Sequence, residues 1–600
     1  MKCLQSLGLL LCALLAPSLA WSDDDRVSRQ VSAPTTLLVD AGKPGPVFDM
    51  DFVGNTSRLH AFLGVSSGSE ILHDETRFAT ASSPKEYIHT RFPNFSAIRI
   101  GNLFFGYECS GANFQELAVR GSDGRLRYQF EETIQLIDEL LRSGLKPYFA
   151  LTGIPKAMVS DGEAVITHPA YGCVNAPALD WSKSEPKERV RDWWQLQDAF
   201  MRALIAHFGK DEVQTWEFAT WTEPLNPEGK KNAHLVLPES VIKARRHDEA
   251  VATIIAASID VAMVHNLPIH IGNFAGPVEQ AYPKVIHEIR RFPKGEAYLK
   301  YISGYAISRY RVKPEQDIGS MVDNAFGLLK NPAMPDKPLF IDEFGELADD
   351  DGIKPFKQAS SLDGAAFVGT LLARVFNRQD GSGRVPKRVA FWNMGITSRA
   401  TFTFSQFDDY LKTPATHVIA MFASLNGYGK VDIPNSSIPA VAGVKNGRTK
   451  IILIAGEKGL GTSASRLESP GAESGAIMIR GLKPNTIYKV MTSVVNDHYG
   501  NPLSVFLGGA QDYRDDPKQR VANVGGEWKL ASKYWEQCFF DEIKECAWRE
   551  QAHLVDSPLL RKEQSMTDAF GVLRVSVDLA GSAAVMVDVI EESRNYSEGR

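Results

Sequence analysis

The chain has 600 residues, 44% of them apolar, which is enough to bury the core of a large domain and of a second one. Its formal net charge is −6 and 23% of its residues are charged, the proportions of an ordinary folded protein. These values give no electrostatic reason to propose a nucleic-acid partner or a polybasic membrane contact, so we expect no nucleic-acid partner.

The first twenty residues have the pattern of a secretory signal peptide. Lys2 precedes an apolar run over residues 7–16, small residues stand at positions 18–20, and an acidic stretch begins at Asp23. The apolar run is too short to span a bilayer. We therefore predict that residues 1–20 are a signal peptide and that the mature protein is secreted or periplasmic, without membrane insertion.

Between about residues 92 and 400, short β-rich runs alternate with longer helical patterns. One helical pattern covers residues 130–143 and stops at Gly144, as at a C-cap glycine. Such β-then-α units indicate an α/β fold, and their number predicts a (β/α)8 TIM barrel over residues 51–425. A doubly wound open sheet has the same alternation, but no glycine-rich phosphate loop follows the first strand. The strand candidates are residues 95–100, 146–151, 213–220, 269–272, 301–307, 338–342 and 388–392.

The character of the sequence changes after about residue 430. Short strands separated by Gly, Pro and Asn predict a C-terminal β-sandwich domain over residues 426–600. Residues 21–50 are expected to add one or more strands to it, with residues 35–39 as the candidate. A polar and aromatic segment at about residues 508–555 is interpreted as an insertion.

Four cysteines remain after removal of the signal peptide: Cys109, Cys173, Cys538 and Cys546. An even number in an exported chain favours disulfide bonds. Three pairings are possible, and we favour the local ones, Cys109–Cys173 and Cys538–Cys546, with unpaired buried thiols as the alternative. None of the four has the spacing of a zinc site, so we predict no metal and no cofactor.

Two apolar strands end in glutamate. Glu223 closes the run that begins at Trp216, and Glu343 closes the run that begins at Pro338. Catalytic groups of barrels lie at the C-terminal ends of the strands, and glycoside hydrolysis needs two carboxyl groups flanking the sugar. Two strand candidates separate the motifs, which assigns Glu223 to strand 4 and Glu343 to strand 7. We predict that these two glutamates are the catalytic pair.

The segment over residues 216–224, Trp-x-Phe-x-x-Trp-Thr-Glu-Pro, resembles the acid/base segment of barrel glycosidases with catalytic glutamates on strands 4 and 7. Residues 83–87, 98–102, 144–148 and the helix that leads into Phe208 are similar in order and spacing to glycoside hydrolase family 39, the group of β-xylosidases and α-L-iduronidases. The resemblance covers about residues 80–400.

This resemblance implies a retaining mechanism in which Glu223 is the acid and then the base, while Glu343 is the nucleophile. It also implies carboxyl groups about 5 Å apart. The pKa of Glu223 is expected to be raised by a less polar setting and by repulsion from Glu343.

Two positions depart from the family pattern. The family usually has Asn directly before the acid/base, where it contacts the sugar 2-hydroxyl, and this chain has Thr222. The family often carries His-x-Tyr near the end of strand 6, and here residues 305–307 are interpreted as its equivalent. Tyr305 or Tyr310 is then the candidate donor to the nucleophile, with core packing as the alternative. These departures concern the identity of the sugar more than the mechanism.

Several further residues are candidates for substrate binding. Arg309, Arg311 and Lys313 could hold a uronic-acid carboxylate, with ordinary solvated loop charge as the alternative. Asp342 is expected to point away from the site by strand alternation, and Glu346 is the third acid. Trp392 is a candidate for stacking on a sugar ring. The remaining candidates are Asn102, Glu108 and Trp221, with Asn55 and His60 added if the first strand lies near residues 62–65.

The sequence therefore predicts a secreted retaining glycoside hydrolase that acts on an oligo- or polysaccharide. The alternative is a non-catalytic carbohydrate-binding or scaffold protein with a degenerate glycosidase barrel. The presence of both strand-end glutamates argues against that alternative, because binding alone needs neither a proton donor nor a nucleophile.

Overall fold

A computed structural model of the chain describes residues in both the predicted barrel and the predicted C-terminal domain. These are residues 36–56, 95–101, 103–104, 116–159, 167–168, 172–224, 235–274, 278–311, 318–346, 362–382, 384–391, 412–434, 436, 438–454, 475–496, 498–501, 557–579 and 582–592. The predicted signal peptide, the 508–555 insertion, Cys109, Cys538 and Cys546 lie outside them, so the signal peptide and the disulfide pairings stay predictions.

The described strands are β1 (Thr36–Asp40), β2 (Asp51–Thr56), β3 (Phe95–Ile100), β4 (Ala118–Arg120), β5 (Leu126–Tyr128), β6 (Lys146–Ala150), β7 (Thr167–His168), β8 (Gly172–Cys173), β9 (Glu217–Ala219), β10 (Ile269–Phe274), β11 (Tyr305–Arg311), β12 (Leu339–Glu346), β13 (Arg388–Phe391), β14 (Gly429–Val431), β15 (Ala440–Lys445), β16 (Arg448–Ile454), β17 (Gly475–Arg480), β18 (Ile487–Asn496), β19 (Leu559–Met566), β20 (Leu573–Val577) and β21 (Ser582–Glu591).

The described α-helices are α1 (Glu131–Arg142), α2 (Pro186–Arg189), α3 (Arg191–Phe208), α4 (Lys210–Val213), α5 (Glu239–Lys243), α6 (His247–His265), α7 (Val278–Arg290), α8 (Gly295–Tyr301), α9 (Ile318–Gly327), α10 (Leu362–Arg378) and α11 (Pro414–Ala423). Two 3-10 turns cover Lys156–Met158 and Leu328–Lys330. Among these helices, none is both long enough and apolar enough to cross a membrane.

Eight parallel strands close into a barrel in the order β2, β3, β6, β9, β10, β11, β12 and β13, and we number them barrel strands 1 to 8. This confirms the predicted (β/α)8 fold. The expected first strand near residues 62–65 is wrong, because barrel strand 1 is Asp51–Thr56, where Phe52 and Val53 are buried. This strand contains only a short apolar run, Phe52 and Val53, so its sequence pattern is weak.

The helices surround the barrel with their apolar faces turned inward. In α3 the side chains of Trp193, Leu196, Phe200 and Leu204 are buried on one face, a helical spacing. Helix α1 ends at Arg142, two residues before Gly144 with its positive φ of 79°, as the sequence predicts. Burial of one such large apolar side chain stabilises the fold by about 1.5–3 kcal/mol.

The lumen of the barrel is lined by unusually small side chains. Ala97, Ala150, Ala219 and Ala390 form a buried cluster there with Val53 and Tyr148. Barrel interiors are normally filled by bulky branched residues. The alanines therefore leave room in the lumen for larger polar side chains, which the candidate site uses.

Two further sheets form the β-sandwich predicted for the C-terminal part. One has three strands in the order β1, β17 and β20, and the other has six in the order β14, β15, β16, β21, β18 and β19. β1 pairs in parallel with β17, starting from Thr36 beside Ala476. A separate buried apolar cluster, which includes Val39, Ile451 and Val587, fills the space between the sheets.

Candidate active site

Glu223 follows barrel strand 4 in a strained backbone conformation. Its φ is 46°, in the left-handed region that non-glycine residues rarely adopt. The Glu223 N–H donates to the carbonyl oxygen of Asn273 at the end of barrel strand 5, at 2.7 Å, and Pro224 follows directly. The neighbouring strand thus holds this residue in a conformation that costs about 1–3 kcal/mol, a pattern common at functional sites.

Glu343 lies in barrel strand 7 with both carboxylate oxygens held. Arg99 Nη1 donates to Oε1 at 2.8 Å, and the Tyr310 hydroxyl donates to Oε2 at 2.8 Å. The residue is only 4% exposed. Two donors from different strands therefore fix the orientation of this carboxylate, and the charged one makes a strong hydrogen bond.

Arg99, from barrel strand 2, places a fully buried guanidinium beside Glu343 and beside Thr222, the residue that precedes Glu223. Besides Glu343, its Nη1 donates to Asn55 Oδ1 at 3.2 Å, and its Nη2 donates to Thr222 Oγ1 at 2.8 Å and to Asn273 Oδ1 at 2.7 Å. Burial acts to lower the pKa of Arg99, but Glu343 and other neighbouring charges raise it above its usual value. Arg99 therefore stays a cation at the base of the site.

The pKa of Glu223 is raised from 4.5 to about 8. Burial is the largest cause, and the negative charge of Glu343 is the second. A hydrogen bond with Ser308 and the charge of Arg99 act in the opposite direction. At neutral pH Glu223 is accordingly protonated and able to donate a proton, in the direction that the family resemblance implies.

A second layer of polar side chains lies beneath the two glutamates. Asp342 accepts a hydrogen bond from the Tyr148 hydroxyl, and its Oδ2 lies 3.0 Å from His270 Nε2. His270 Nε2 also lies 2.7 Å from the Tyr148 hydroxyl, and all three residues are fully buried. Burial acts to raise the pKa of Asp342, but His270, Arg99 and Tyr148 together hold it below its usual value.

The expectation that Asp342 points away from the site is wrong. Barrel strands 6 and 7 pair Ile307 with Ile341 and then Ser308 with Glu343, so strand 7 carries one extra residue, a β-bulge. The bulge breaks the alternation and turns both Asp342 and Glu343 toward the lumen. Alternation predicts side-chain directions only in a strand without such an irregularity.

Barrel strand 6 extends four residues beyond Ile307, which changes the interpretation of its motif. Ser308 and Tyr310 face the site, whereas Tyr305 packs outside the barrel against Tyr282, with ring centroids 5.6 Å apart. Tyr310, and not Tyr305, donates to the nucleophile candidate. The segment in the place of His-x-Tyr is therefore Ser308–Tyr310 and not residues 305–307.

Thr222 and Arg309 are both engaged within the protein. Thr222 is 1% exposed; its N–H donates to Thr152 Oγ1 at 2.8 Å, and its own Oγ1 accepts from Thr152 at 2.9 Å as well as from Arg99. Arg309 Nη2 lies 3.2 Å from Glu279 Oε1 on helix α7, outside the barrel. Both side chains therefore have partners within the protein, and their predicted role in substrate binding stays a prediction.

The other candidate residues divide into buried ones and ones that are not described. Trp221 is fully buried and packs on Trp193 of helix α3, with ring centroids 5.2 Å apart. Asn55 is fully buried beside Arg99, and its Nδ2 donates to the Asp342 carbonyl oxygen at 2.8 Å. The candidates outside the described residues, or with undescribed side chains, are His60, Asn102, Glu108, Arg311, Lys313, Glu346 and Trp392.

Five residues of the site were absent from the sequence-based assignment of roles: Arg99, Tyr148, His270, Asn273 and Ser308. The sequence contains a signal for one of them, because Arg99 is the only charged residue in a strand whose other residues, apart from Ser96, are apolar. Such a residue is almost never fully buried without partners. Within the described part of the chain, no group of three or more His, Cys, Asp or Glu residues is arranged to hold a metal ion.

Comparison with known proteins points to one family. The sequence pattern of glycosyl hydrolases family 39 matches residues 106–235. A β-xylosidase from Caldicellulosiruptor saccharolyticus is 31% identical over 108 residues, which is 18% of this chain and 20% of that protein. The chain thus aligns with about a fifth of this relative's length.

Two solved structures have the same fold over nearly their whole length. The family 39 enzyme from Xanthomonas axonopodis pv. citri has a TM-score of 0.63 at 16% identity, covering 95% of this chain and 99% of its own. A monomeric β-xylosidase from Caulobacter crescentus has a TM-score of 0.60 at 15% identity, covering 93% and 100%. The sequence similarity to glycoside hydrolase family 39 thus lies in residues 106–235, and the two solved structures show that nearly the whole chain has the same fold as enzymes of that kind.

Proposed function

We propose that the protein is an exported glycoside hydrolase that cleaves glycosidic bonds of an oligo- or polysaccharide with retention of configuration. Glu223 is the general acid and base, and Glu343 is the nucleophile. One observation carries the proposal: Glu223 is protonated at neutral pH beside a Glu343 carboxylate whose two oxygens are held by Arg99 and Tyr310. A proton donor and an oriented nucleophile are the two groups that double displacement needs.

In the first step, a Glu343 carboxylate oxygen attacks the anomeric carbon. The bond to the leaving oxygen breaks, its electron pair stays on that oxygen, and Glu223 delivers its proton there. The products are a glycosyl ester on Glu343, a free alcohol and an ionised Glu223. Arg99 and Tyr310 keep the attacking carboxylate in one orientation during this step.

In the second step, Glu223 takes a proton from a water molecule that attacks the anomeric carbon, and the Glu343 carboxylate leaves. Because the ester carries no charge, the repulsion that raises the pKa of Glu223 is absent in the intermediate. The pKa of Glu223 therefore falls when Glu223 must act as a base. It rises again when the second step restores the Glu343 carboxylate.

The layer beneath the site supports this cycle. Asp342 is tied to Tyr148 and His270, and it precedes Glu343 directly in the chain. Asn55 donates to the Asp342 carbonyl oxygen and accepts from Arg99, so barrel strands 1, 2 and 7 are linked at this point. A nucleophile fixed by supporting hydrogen bonds loses little freedom in the transition state.

The test is hydrolysis of a panel of aryl glycosides that includes 4-nitrophenyl β-D-xylopyranoside, 4-nitrophenyl β-D-glucopyranoside, 4-nitrophenyl α-L-arabinofuranoside and 4-methylumbelliferyl α-L-iduronide. We expect Glu223→Gln to lower kcat about 10²- to 10⁴-fold on the active substrate, and Glu343→Gln by at least as much. Glu239→Gln, on exposed helix α5, is the matched control and keeps full activity.

Two results would overturn the proposal. Full activity in both glutamine variants would remove Glu223 and Glu343 from the reaction. Carbohydrate binding without turnover, across the panel and a set of polysaccharides, would favour the non-catalytic scaffold instead. The export part is tested separately by the N-terminal sequence of the mature protein, which we expect to begin near residue 21.

A further inference from the structure

We propose that Ser308 is a positioning residue for Glu223. Ser308 belongs to a hydrogen-bond chain that begins at the Arg99 guanidinium and ends at Glu223, and in which the order of donors and acceptors is fixed. This inference rests on the proposed function, since it assigns Ser308 a role in the step where Glu223 is the base. The chain runs behind the two glutamates through Asn273, and its members are all at most 4% exposed, apart from Glu223 itself.

The direction of the chain follows from the chemistry of its first member. A guanidinium has donors only, so Asn273 must turn its amide oxygen toward Arg99 Nη2, at 2.7 Å. The amide nitrogen of Asn273 then faces Ser308 and donates to its Oγ at 2.6 Å. The buried cation thereby assigns the Asn273 amide orientation, which side-chain geometry alone leaves ambiguous.

Ser308 consequently accepts from Asn273 and keeps its own hydrogen for another partner. The Glu223 side chain is the partner that we assign to it. Asn273 brings the two residues together, because its carbonyl oxygen accepts from the Glu223 N–H at 2.7 Å while its amide nitrogen donates to Ser308 Oγ at 2.6 Å. Ser308 also acts to lower the pKa of Glu223 through its side chain. A hydroxyl that donates to a carboxyl group favours its ionised form. Ser308 therefore opposes the effects of burial and of Glu343 on Glu223 and stabilises the form of Glu223 that acts as a base.

Barrel strand 6 serves both glutamates through alternate residues. Ser308 contacts Glu223 and Tyr310 contacts Glu343, while Arg309 between them points outward to Glu279. The hydrogen bond from Ser308 also limits the rotation of the Glu223 carboxylate. In the glycosyl-enzyme, where Glu343 is an ester, this donor helps to aim the base at the attacking water.

A purely structural role for Ser308, as an acceptor for Asn273, predicts the opposite pH effect. A loosened site admits water, which reduces the burial of Glu223 and lowers its pKa. Loss of a donor raises the pKa of Glu223 instead, because the ionised form loses a stabilising hydrogen bond. The direction in which the alkaline limb of the pH profile moves therefore separates the two roles.

The experiment compares wild type with Ser308→Ala, with Ser308→Thr, which keeps the hydroxyl, and with Ser258→Ala. Ser258 is a buried serine on helix α6 whose Oγ donates to Ile254 at 3.2 Å, so it matches the chemical change away from the site. The substrate is a 2,4-dinitrophenyl glycoside of the sugar that the panel identifies, because its good leaving group makes hydrolysis of the glycosyl-enzyme limit kcat.

We expect Ser308→Ala to lower kcat about tenfold or more, the loss of one hydrogen bond to a charged group, and to move the alkaline limb of kcat/KM to higher pH. Ser308→Thr restores both toward wild type, and Ser258→Ala changes neither. If Ser308→Ala does not fold, Ser308→Cys, a weaker donor of similar shape, is measured in its place and gives the same two changes in smaller size.

A second readout needs no substrate: the infrared carboxyl band that disappears in Glu223→Gln is titrated in wild type, in Ser308→Ala and in Ser258→Ala. We expect the band to persist to higher pH in Ser308→Ala. Absence of glycosidase activity in wild type contradicts the proposed function but leaves this titration intact as a test of Ser308. The inference is overturned if Ser308→Ala titrates like Ser258→Ala, or if its alkaline limb or band moves to lower pH.

Discussion

Replacement of Glu223 by Gln is expected to stabilise the fold in a pH-dependent way. Below about pH 4.5 the Glu223 carboxyl is protonated in both the folded and the unfolded chain, so pH has no effect through this group. Above that pH the unfolded chain ionises Glu223 freely, whereas the folded chain keeps the proton until about pH 8. The unfolded state therefore binds fewer protons in this window, and the stability of the wild type falls as pH rises.

The size of this effect follows from the two pKa values. A change from 4.5 to about 8, at about 1.4 kcal/mol per pKa unit, corresponds to roughly 5 kcal/mol. The Glu223 side chain is partly exposed, and contact with water and local relaxation reduce the penalty. We therefore expect Glu223→Gln to gain about 2–5 kcal/mol over wild type at pH 9 and close to nothing below pH 4.5.

The assay is urea unfolding of wild type, Glu223→Gln and Glu239→Gln at pH 4, 7 and 9, with tryptophan fluorescence as the probe. The difference between Glu223→Gln and wild type must grow with pH, while Glu239→Gln follows wild type throughout. A difference that is the same at all three pH values would refute the reasoning. It would mean that the substitution acts through packing and not through the ionisation of Glu223.

Three further predictions concern Glu343: two its hydrogen-bond partners and one its distance from Glu223. Tyr310→Phe removes one donor to its carboxylate and should lower kcat/KM about 10- to 100-fold with an unchanged melting temperature, as measured by steady-state kinetics and calorimetry. Arg99→Lys keeps the charge but offers a compact ammonium in place of a planar fork of donors, so urea unfolding should show a loss of about 3–5 kcal/mol. A crystal structure should place the Glu223 and Glu343 carboxyl groups about 5 Å apart; a separation nearer 6.5–9.5 Å would indicate inversion instead.

The barrel could be predicted because each of its parts carries a local signal. Apolar runs of strand length, helical periods such as that of residues 130–143 and the glycine after them all agree with one architecture. The assignment of Glu223 and Glu343 to barrel strands 4 and 7 could be predicted for the same reason, since each follows such a run, while their catalytic roles stay a proposal. Barrel strand 1 was misplaced because Phe52 and Val53 form only a short apolar signal before Gly54.

The hydrogen-bond partners of the two glutamates could not be predicted from local signals. Arg99 meets Glu343 across 244 positions of the chain and Asn273 across 174, and these contacts depend on closure of the barrel. The register of barrel strands 6 and 7 depends on one extra residue, Asp342, which no pattern of apolar residues indicates. A bulge shifts every later residue of its strand to the opposite face, so alternation gives the wrong direction for Asp342. The assignment of Tyr305 is wrong for a different reason: barrel strand 6 continues to Arg311, and Tyr310 is the tyrosine that reaches Glu343.

The same bulge explains how one strand supplies both Glu343, the proposed nucleophile, and the neighbouring carboxylate that anchors it. With regular alternation only one of Asp342 and Glu343 could face the lumen, and the other would need a partner among the helices. With the bulge, Asp342 binds Tyr148 and His270 below while Glu343 binds Arg99 and Tyr310 above.

This arrangement places several charges in a space that most barrels fill with branched apolar side chains, and the lumen alanines leave the room for it. The strained backbone of Glu223 and its raised pKa add to the free energy that the surrounding core must offset. Stability given up at positions that carry a reaction is a general trade-off in enzymes, and it predicts that Glu223→Gln yields a more stable but inactive protein. A variant that was both less active and less stable at alkaline pH would argue that Glu223 supports the fold, not the chemistry.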